Sequence, residues 1–294
     1  MMNDYPILAQ NVSRSYDGLS VLRDLNLSVK QGSIYGFLGR NGSGKTTTLR
    51  MLAGLIKPDS GQVRILGCDP FTIGAEERQR VGYMSEKAMI PPFTKVGSVL
   101  KLGRSLYPEW DNALADSLVA KYDLSPKKRF STLSQGKQRL LAFVMAIAPR
   151  PKVILLDEPA ANLDVVARRE ILDDILSLIR DYGCTVLFST HILSDIERVA
   201  DEIGILAKGT MRVSEPLDTL KDSIRQVRFF GFKNGVPQAD LPGSFRTVRT
   251  RDELTVTLRT APAMTPEIVA QNWSCQYETR ALSLDDIFIE LSLN

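Results

Sequence analysis

Residues 39–46 read Gly-Arg-Asn-Gly-Ser-Gly-Lys-Thr, a complete G-x-x-x-x-G-K-[ST] phosphate loop, and this octet decides the fold. Its glycines let backbone N–H groups converge on phosphate oxygens, and the helix that follows points its positive end at them. Lys45 supplies a compact charge for the β- and γ-phosphates, and the Thr46 hydroxyl is placed for Mg²⁺. Outward from the octet, Ser33–Leu38 (SIYGFL) predicts a short buried strand, and Lys45–Gly54 (KTTTLRMLAG) predicts a helix ended by glycine. Strand, loop and helix stand in the order the motif requires. The expected ligand is a nucleoside triphosphate with Mg²⁺.

The wider pattern fits one nucleotide unit with an appendage. Residues 5–38 alternate short apolar runs with the turn signals Asp17-Gly18 and Gln31-Gly32, predicting a β-rich opening. Gly61–Gly67 predicts another strand. From about residue 88 to 148 the periodicity is helical, with Val96–Leu106 and Ala113–Leu124 as helices. Lys152–Leu156 and Thr185–Ser189 are continuous apolar runs, as in strands buried on both faces. The alternation predicts an α/β fold with a mainly parallel sheet, interrupted by a helical insertion. After residue 215 the character changes. Val227–Phe232, Phe245–Val248 and Leu254–Leu258 predict strands followed by two short helices, the second opened by a capping box at Ser283–Asp286. The boundaries are 1–215 for the nucleotide domain and 216–294 for a small α+β domain.

Bulk properties exclude several classes. The 294 residues are 44% hydrophobic and 24% charged, with a net charge of +3 that is not gathered into a run, so no nucleic-acid footprint stands out. Cys68, Cys184 and Cys275 are far apart, which fits reduced thiols and places Cys184 in the core. The longest apolar stretch, Leu140–Ala148 (LLAFVMAIA), is nine residues against the roughly 20 a bilayer requires. The opening MMNDYPILAQ lacks the form of a secretion signal. The expectation is a cytosolic chain able to reach a membrane only through a partner.

A second segment, Lys152–Pro159 (KVILLDEP), delivers two adjacent carboxylates at the end of an apolar strand, where such sheets bind ligands. Asp157 suits Mg²⁺, and Glu158 suits a water to be oriented or deprotonated. An acidic pair also suits a helix N-terminus; beside a phosphate loop the catalytic reading is preferred.

Between these segments lies Thr132–Arg139 (TLSQGKQR), and here residues 5–215 resemble the ATP-binding subunit of ABC transporters, whose hallmark is Leu-Ser-Gly-Gly-Gln. Other elements follow in the family's order. Tyr16 stands where the family stacks an aromatic on adenine. The loop runs Asn41, Gly42, Ser43, Gly44, Lys45, Thr46 and on through Thr47. Ala161–Asp164 (ANLD) resembles the D-loop, with Asp164 as its acid. His191, the chain's only histidine, ends a strand 33 residues after Glu158, as the switch histidine does.

The resemblance implies a P-loop NTPase core of ABC ATPase type, with an N-terminal antiparallel β subdomain, that hydrolyses Mg·ATP through Glu158 and His191. It also implies a head-to-tail partner, a homo- or heterodimer, in which Ser134, Gln135, Gly136 and Lys137 of one subunit close on ATP bound by the other. An integral membrane permease would dock on the helical insertion, and no nucleic-acid partner is expected. The ending Leu282–Leu291 (LSLDDIFIEL) resembles exporter subunits with separately encoded permeases. Three departures stand out: Glu86 where the family's loop has glutamine, Gln135 and Lys137 inside the signature, and Arg40 in place of proline. A carboxylate at position 86 could ligate Mg²⁺ but repels the γ-phosphate. Lys137 is expected either to add charge near the partner's γ-phosphate or to face solvent. The alternatives are a soluble ATPase of this type acting on ribosomes or DNA, a weakly hydrolysing regulatory subunit, and another phosphate-loop enzyme.

Overall fold

The computed structural model describes residues 4–233, 235–238, 240–260 and 265–293. They fall into two compact units, Met1–Ser214 and Glu215–Asn294.

The first unit opens with β1 (Ile7–Tyr16) and β2 (Leu19–Val29), joined through Asp17 and Gly18, both at positive φ, the geometry of a tight hairpin. They pair antiparallel from Ile7↔Val29 to Tyr16↔Leu19. With β4 (Ser60–Ile65) they form a small sheet of order β2-β1-β4. Its inward residues Ile7, Ala9, Val12, Leu25 and Leu27 pack in one cluster with Phe37, Leu49 and Met51. The alternating apolar pattern of these strands fits a sheet buried on one face.

The second sheet carries the chemistry. β3 (Ile34–Leu38), β5 (Val81–Met84), β6 (Val153–Asp157), β7 (Thr185–Thr190), β8 (Glu202–Ala207) and β9 (Thr210–Pro216) take the order β5-β6-β7-β3-β8-β9. β3, β6, β7 and β8 are buried along their whole length, which explains their near-continuous apolar runs. Parallel register sets Leu38 opposite Thr190, and Asp157 opposite Ser189. The phosphate loop, the acidic pair and His191 therefore leave one edge of the sheet side by side, although the first and the last are far apart in the chain.

Helices clothe this sheet. α1 (Lys45–Leu52) follows the phosphate loop, and α2 (Ala75–Gln79) precedes β5. The helical insertion comprises α3 (Val96–Leu106), α4 (Asn112–Lys121), a 3-10 turn at Phe130–Thr132 and α5 (Gln135–Ile147). Then come α6 (Val165–Tyr182), capped by Asp164, and α7 (Leu193–Val199). Cys184 is buried but stands just before β7, not within the strand. No helix among the described residues is long and apolar enough to cross a membrane.

The second unit holds α8 (Leu217–Ser223), β10 (Ile224–Phe230), β11 (Ser244–Arg249), β12 (Glu253–Arg259), α9 (Pro266–Trp273), β13 (Gln276–Ala281) and α10 (Leu284–Leu293). Its sheet runs β11-β12-β10-β13. Val227, Phe229, Leu254 and Val256 form its core, with the Trp273 ring edge-on to Phe229 at 5.3 Å, a favoured aromatic arrangement. Half of the expected capping box is present: Ser283 Oγ accepts from the Asp286 N–H at 3.1 Å, while Asp286 Oδ2 accepts from the Ser283 hydroxyl at 2.9 Å. β13 is an addition to the sequence reading, which placed only helices after β12. Its residues, QYETRA, are mostly exposed and carry almost no apolar signal, so it is a strand by virtue of pairing with β10.

Candidate functional site

A cleft of about 680 Å³ opens over the edge of the large sheet, lined by the loop residues Asn41 to Thr47 together with Tyr16, Glu86, Arg139, Glu158 and His191. Gly44 ends the loop at φ +111, with no side-chain cap on α1, so the first helical N–H groups stay open to an anion. Gly39 cannot carry a side chain: a Cβ there would sit 2.5 Å from Ser43 Oγ and 2.6 Å from the Leu206 carbonyl. Ser43 Oγ is buried without a hydrogen-bond partner, a polar atom that a bound phosphate would satisfy.

Lys45 is buried, and its Nζ donates to the Gly39 carbonyl at 2.6 Å and lies 3.5 Å from Glu158 Oε1. Burial holds its pKa below the ordinary lysine range, and the Glu158 carboxylate opposes that shift. The other Glu158 oxygen, Oε2, lies 2.9 Å from His191 Nδ1. Glu158 is thus flanked by the phosphate-loop lysine on one side and the lone histidine on the other.

Asp157 is fully buried at the end of β6. Ser189 Oγ donates to its Oδ1 at 2.6 Å, while Oδ2 has no hydrogen-bond partner. A buried carboxylate oxygen without a donor is costly unless a cation completes it, so the residues fit the divalent ion expected beside a triphosphate. Thr46 and Glu86 line the cleft nearby. Among the described residues no group of three or more His, Cys, Asp or Glu side chains is placed to hold a metal unaided. The ion would need phosphate oxygens to complete its shell.

Tyr16 lines the mouth, with the Arg14 guanidinium 4.8 Å from its ring centroid, a cation–π geometry that orients the ring. Thr47 and Asn41 complete the wall. Arg40 is exposed and lines none of this cleft.

The signature residues lie elsewhere. Ser134, Gln135, Gly136 and Lys137 line a second cleft of about 500 Å³ with Tyr122, Leu163 and Asp164. Ser134 caps α5, its Oγ accepting from the Lys137 N–H at 3.3 Å. Lys137 is paired within its own chain: its Nζ lies 2.5 Å from Asp123 Oδ2 and 2.9 Å from the Asp123 carbonyl. Asp164 accepts from the Val166 and Ala167 N–H groups at 3.0 and 2.9 Å, an N-cap for α6. Asn162, at φ +60, lines both clefts.

Two residues that sequence reasoning passed over belong to the site. Ser189 joins the acidic pair, donating to Asp157 and accepting from the Glu158 N–H at 3.0 Å. Arg139 is buried in the cleft wall, its Nη1 donating to the Glu158 carbonyl at 2.6 Å. A lone arginine at the edge of the apolar run LLAFVMAIA is a signal that could have marked it.

Comparison with known proteins identifies the family and the fold. Residues 22–161 match the family profile described as ABC transporter. The chain is 31% identical over 248 residues to the ABC transporter ATP-binding protein YtrB of Bacillus subtilis, covering 81% of this chain and 84% of that one. It is 36% identical over 225 residues to the bacitracin transport ATP-binding protein BcrA of Bacillus licheniformis, with 75% and 72% covered. With the Nod factor export ATP-binding protein I of Burkholderia orbicola it shares 35% over 213 residues, with 71% and 70% covered. Among solved structures, an ATP-binding subunit of an ABC transporter superposes with a TM-score of 0.67 at 25% identity, over 74% of this chain and 92% of that one. The fold is also that of the ATP-binding cassette MJ0796, solved as a dimer in a post-hydrolysis state with ADP and Pi, at a TM-score of 0.64 and 24% identity, over 72% and 98%.

Proposed function

This chain belongs to the family of ABC transporter ATP-binding proteins, and on that premise we propose that it hydrolyses Mg·ATP to drive export through a membrane permease. The observation that carries the reading is the Glu158 carboxylate, set between Lys45 at 3.5 Å and His191 at 2.9 Å at the mouth of the phosphate loop. The loop amides and Lys45 hold the β- and γ-phosphates. Glu158 accepts the proton of the attacking water, and His191 holds that carboxylate in place and reaches the γ-phosphate. Thr46 and Asp157 would hold a Mg²⁺ ion, which would supply charge neutralisation to the phosphates.

The active unit is a head-to-tail pair, in which Ser134 and the Gly136 backbone of one subunit close on the γ-phosphate held by the other. Two features support this: the signature lies in a cleft of its own, apart from Lys45, and the cassette of the same fold was solved as a dimer. Export, peripheral attachment to the inner face of the membrane and a permease partner are supported by the names of two relatives, bacitracin transport and Nod factor export proteins.

The test is Glu158→Gln with Mg·ATP. Hydrolysis falls by about 100-fold or more, nucleotide binding is kept, and the chain shifts to a dimer in light scattering. Affinity capture of that variant from native membranes retains a polytopic membrane protein. Wild-type turnover in the variant would refute the role of Glu158, and capture of ribosomal or DNA-bound components alone would refute the transport reading.

A further inference from the structure

Glu86 presents a physical problem that the fold answers. A carboxylate on the wall of a triphosphate cleft repels its ligand, and Glu158 is a second one on the same wall. The charged groups lining the cleft, His191 aside, are Lys45 and Arg139 against Glu86 and Glu158, so the wall is neutral only because Arg139 is there. Arg139 is 7% exposed, and burial lowers its pKa while Glu86, Glu158 and Asp157 raise it, Glu86 most of the three.

Arg139 also acts on the backbone. Glu158 has φ +52, a left-handed conformation that is strained for a non-glycine residue. Both of its peptide groups are tethered: the N–H to Ser189 Oγ at 3.0 Å and the Ser189 carbonyl at 3.2 Å, and the C=O to Arg139 Nη1 at 2.6 Å and the Ala161 N–H at 3.2 Å. Arg139 is the fifth residue of α5, the helix that Ser134 caps. One side chain therefore connects the signature helix to the peptide that bears the candidate base.

We propose that Arg139 is a positioning residue that anchors the Glu158 peptide to the signature helix and cancels the charge of Glu86 so that a polyphosphate can enter the cleft. The anchoring half rests on the hydrolysis reading above; the charge half does not.

The test is a double-mutant cycle of Arg139→Met and Glu86→Gln in the full chain, read by calorimetric binding of Mg·ATP and by steady-state hydrolysis. Arg139→Met weakens binding about tenfold, because one negative charge is left uncompensated. The double variant recovers binding to within about threefold of wild type, while kcat stays about tenfold low because the anchor is still missing. Glu86→Gln alone binds Mg·ATP about tenfold more tightly, and this arm stands even if Arg139→Met does not fold. Additive losses in the double variant, or unchanged binding in Glu86→Gln, would overturn the charge role. A kcat that returns together with binding would overturn the anchor. A wild-type chain that binds but does not turn over ATP would sink the hydrolysis reading and leave the charge cycle intact.

Discussion

Two helix N-termini in this molecule use the same device and are finished differently. α1, behind Gly44, has no side-chain cap, and its lysine already rests against the Gly39 carbonyl and Glu158 within the same chain. α5 is capped by its own Ser134, and its lysine is occupied by Asp123. Both are helix N-termini of the kind that suits an anion, but only the first adjoins the Asp157–Glu158 pair and the lone histidine. The difference teaches that a phosphate site can be divided: one half is built to hold, the other to arrive. On the proposed function, the first is a binding element of the isolated chain and the second matters only on assembly.

The comparison can be broken at either end. Lys45→Ala removes the buried charge of the holding half and should lower Mg·ATP affinity by about 100-fold, about 3 kcal/mol for a charged hydrogen-bonding group; calorimetry on the isolated chain checks it, and near-wild-type binding would deny the holding role. Ser134→Ala sharpens the contrast. Binding to the isolated chain should stay within about twofold, while hydrolysis by the assembled protein falls about tenfold; a loss of affinity in the monomer would mean that the two halves are not divided. The smallest effect is expected from Lys137→Ala. Its partner carboxylate is 89% exposed, and exposed ion pairs contribute about 0–1 kcal/mol, so melting should shift by less than about 3 °C with hydrolysis within about twofold. A larger fall in hydrolysis would restore Lys137 to the phosphate.

Legibility in the sequence followed the same division. The octet at 39–46, the acidic pair after a buried strand and the histidine ending another were readable because each is a local pattern whose chemistry depends on adjacent residues. The sheet order then brings them together through the registers Leu38↔Thr190 and Asp157↔Ser189. Ser189 was not legible as a site residue, and Arg139 was marked only by its charge beside an apolar run, because their roles come from contacts across 31 and 19 residues, which no local period encodes. β13 was lost for a related reason: QYETRA is an edge strand made by backbone pairing, with too little apolar alternation to announce itself. The Lys137–Asp123 pair was not foreseen because Asp123 sits beyond α4 and outside the signature.

Asn162 belongs to the walls of both clefts. In a pair of such chains, each subunit would thus have one residue in common between the nucleotide it holds and the nucleotide its partner holds. Reciprocity constrains what that shared partition transmits: if filling one cleft alters affinity at the other by some factor, filling the other must return that same factor. The D-loop is then the place where two occupancies meet as a single thermodynamic quantity.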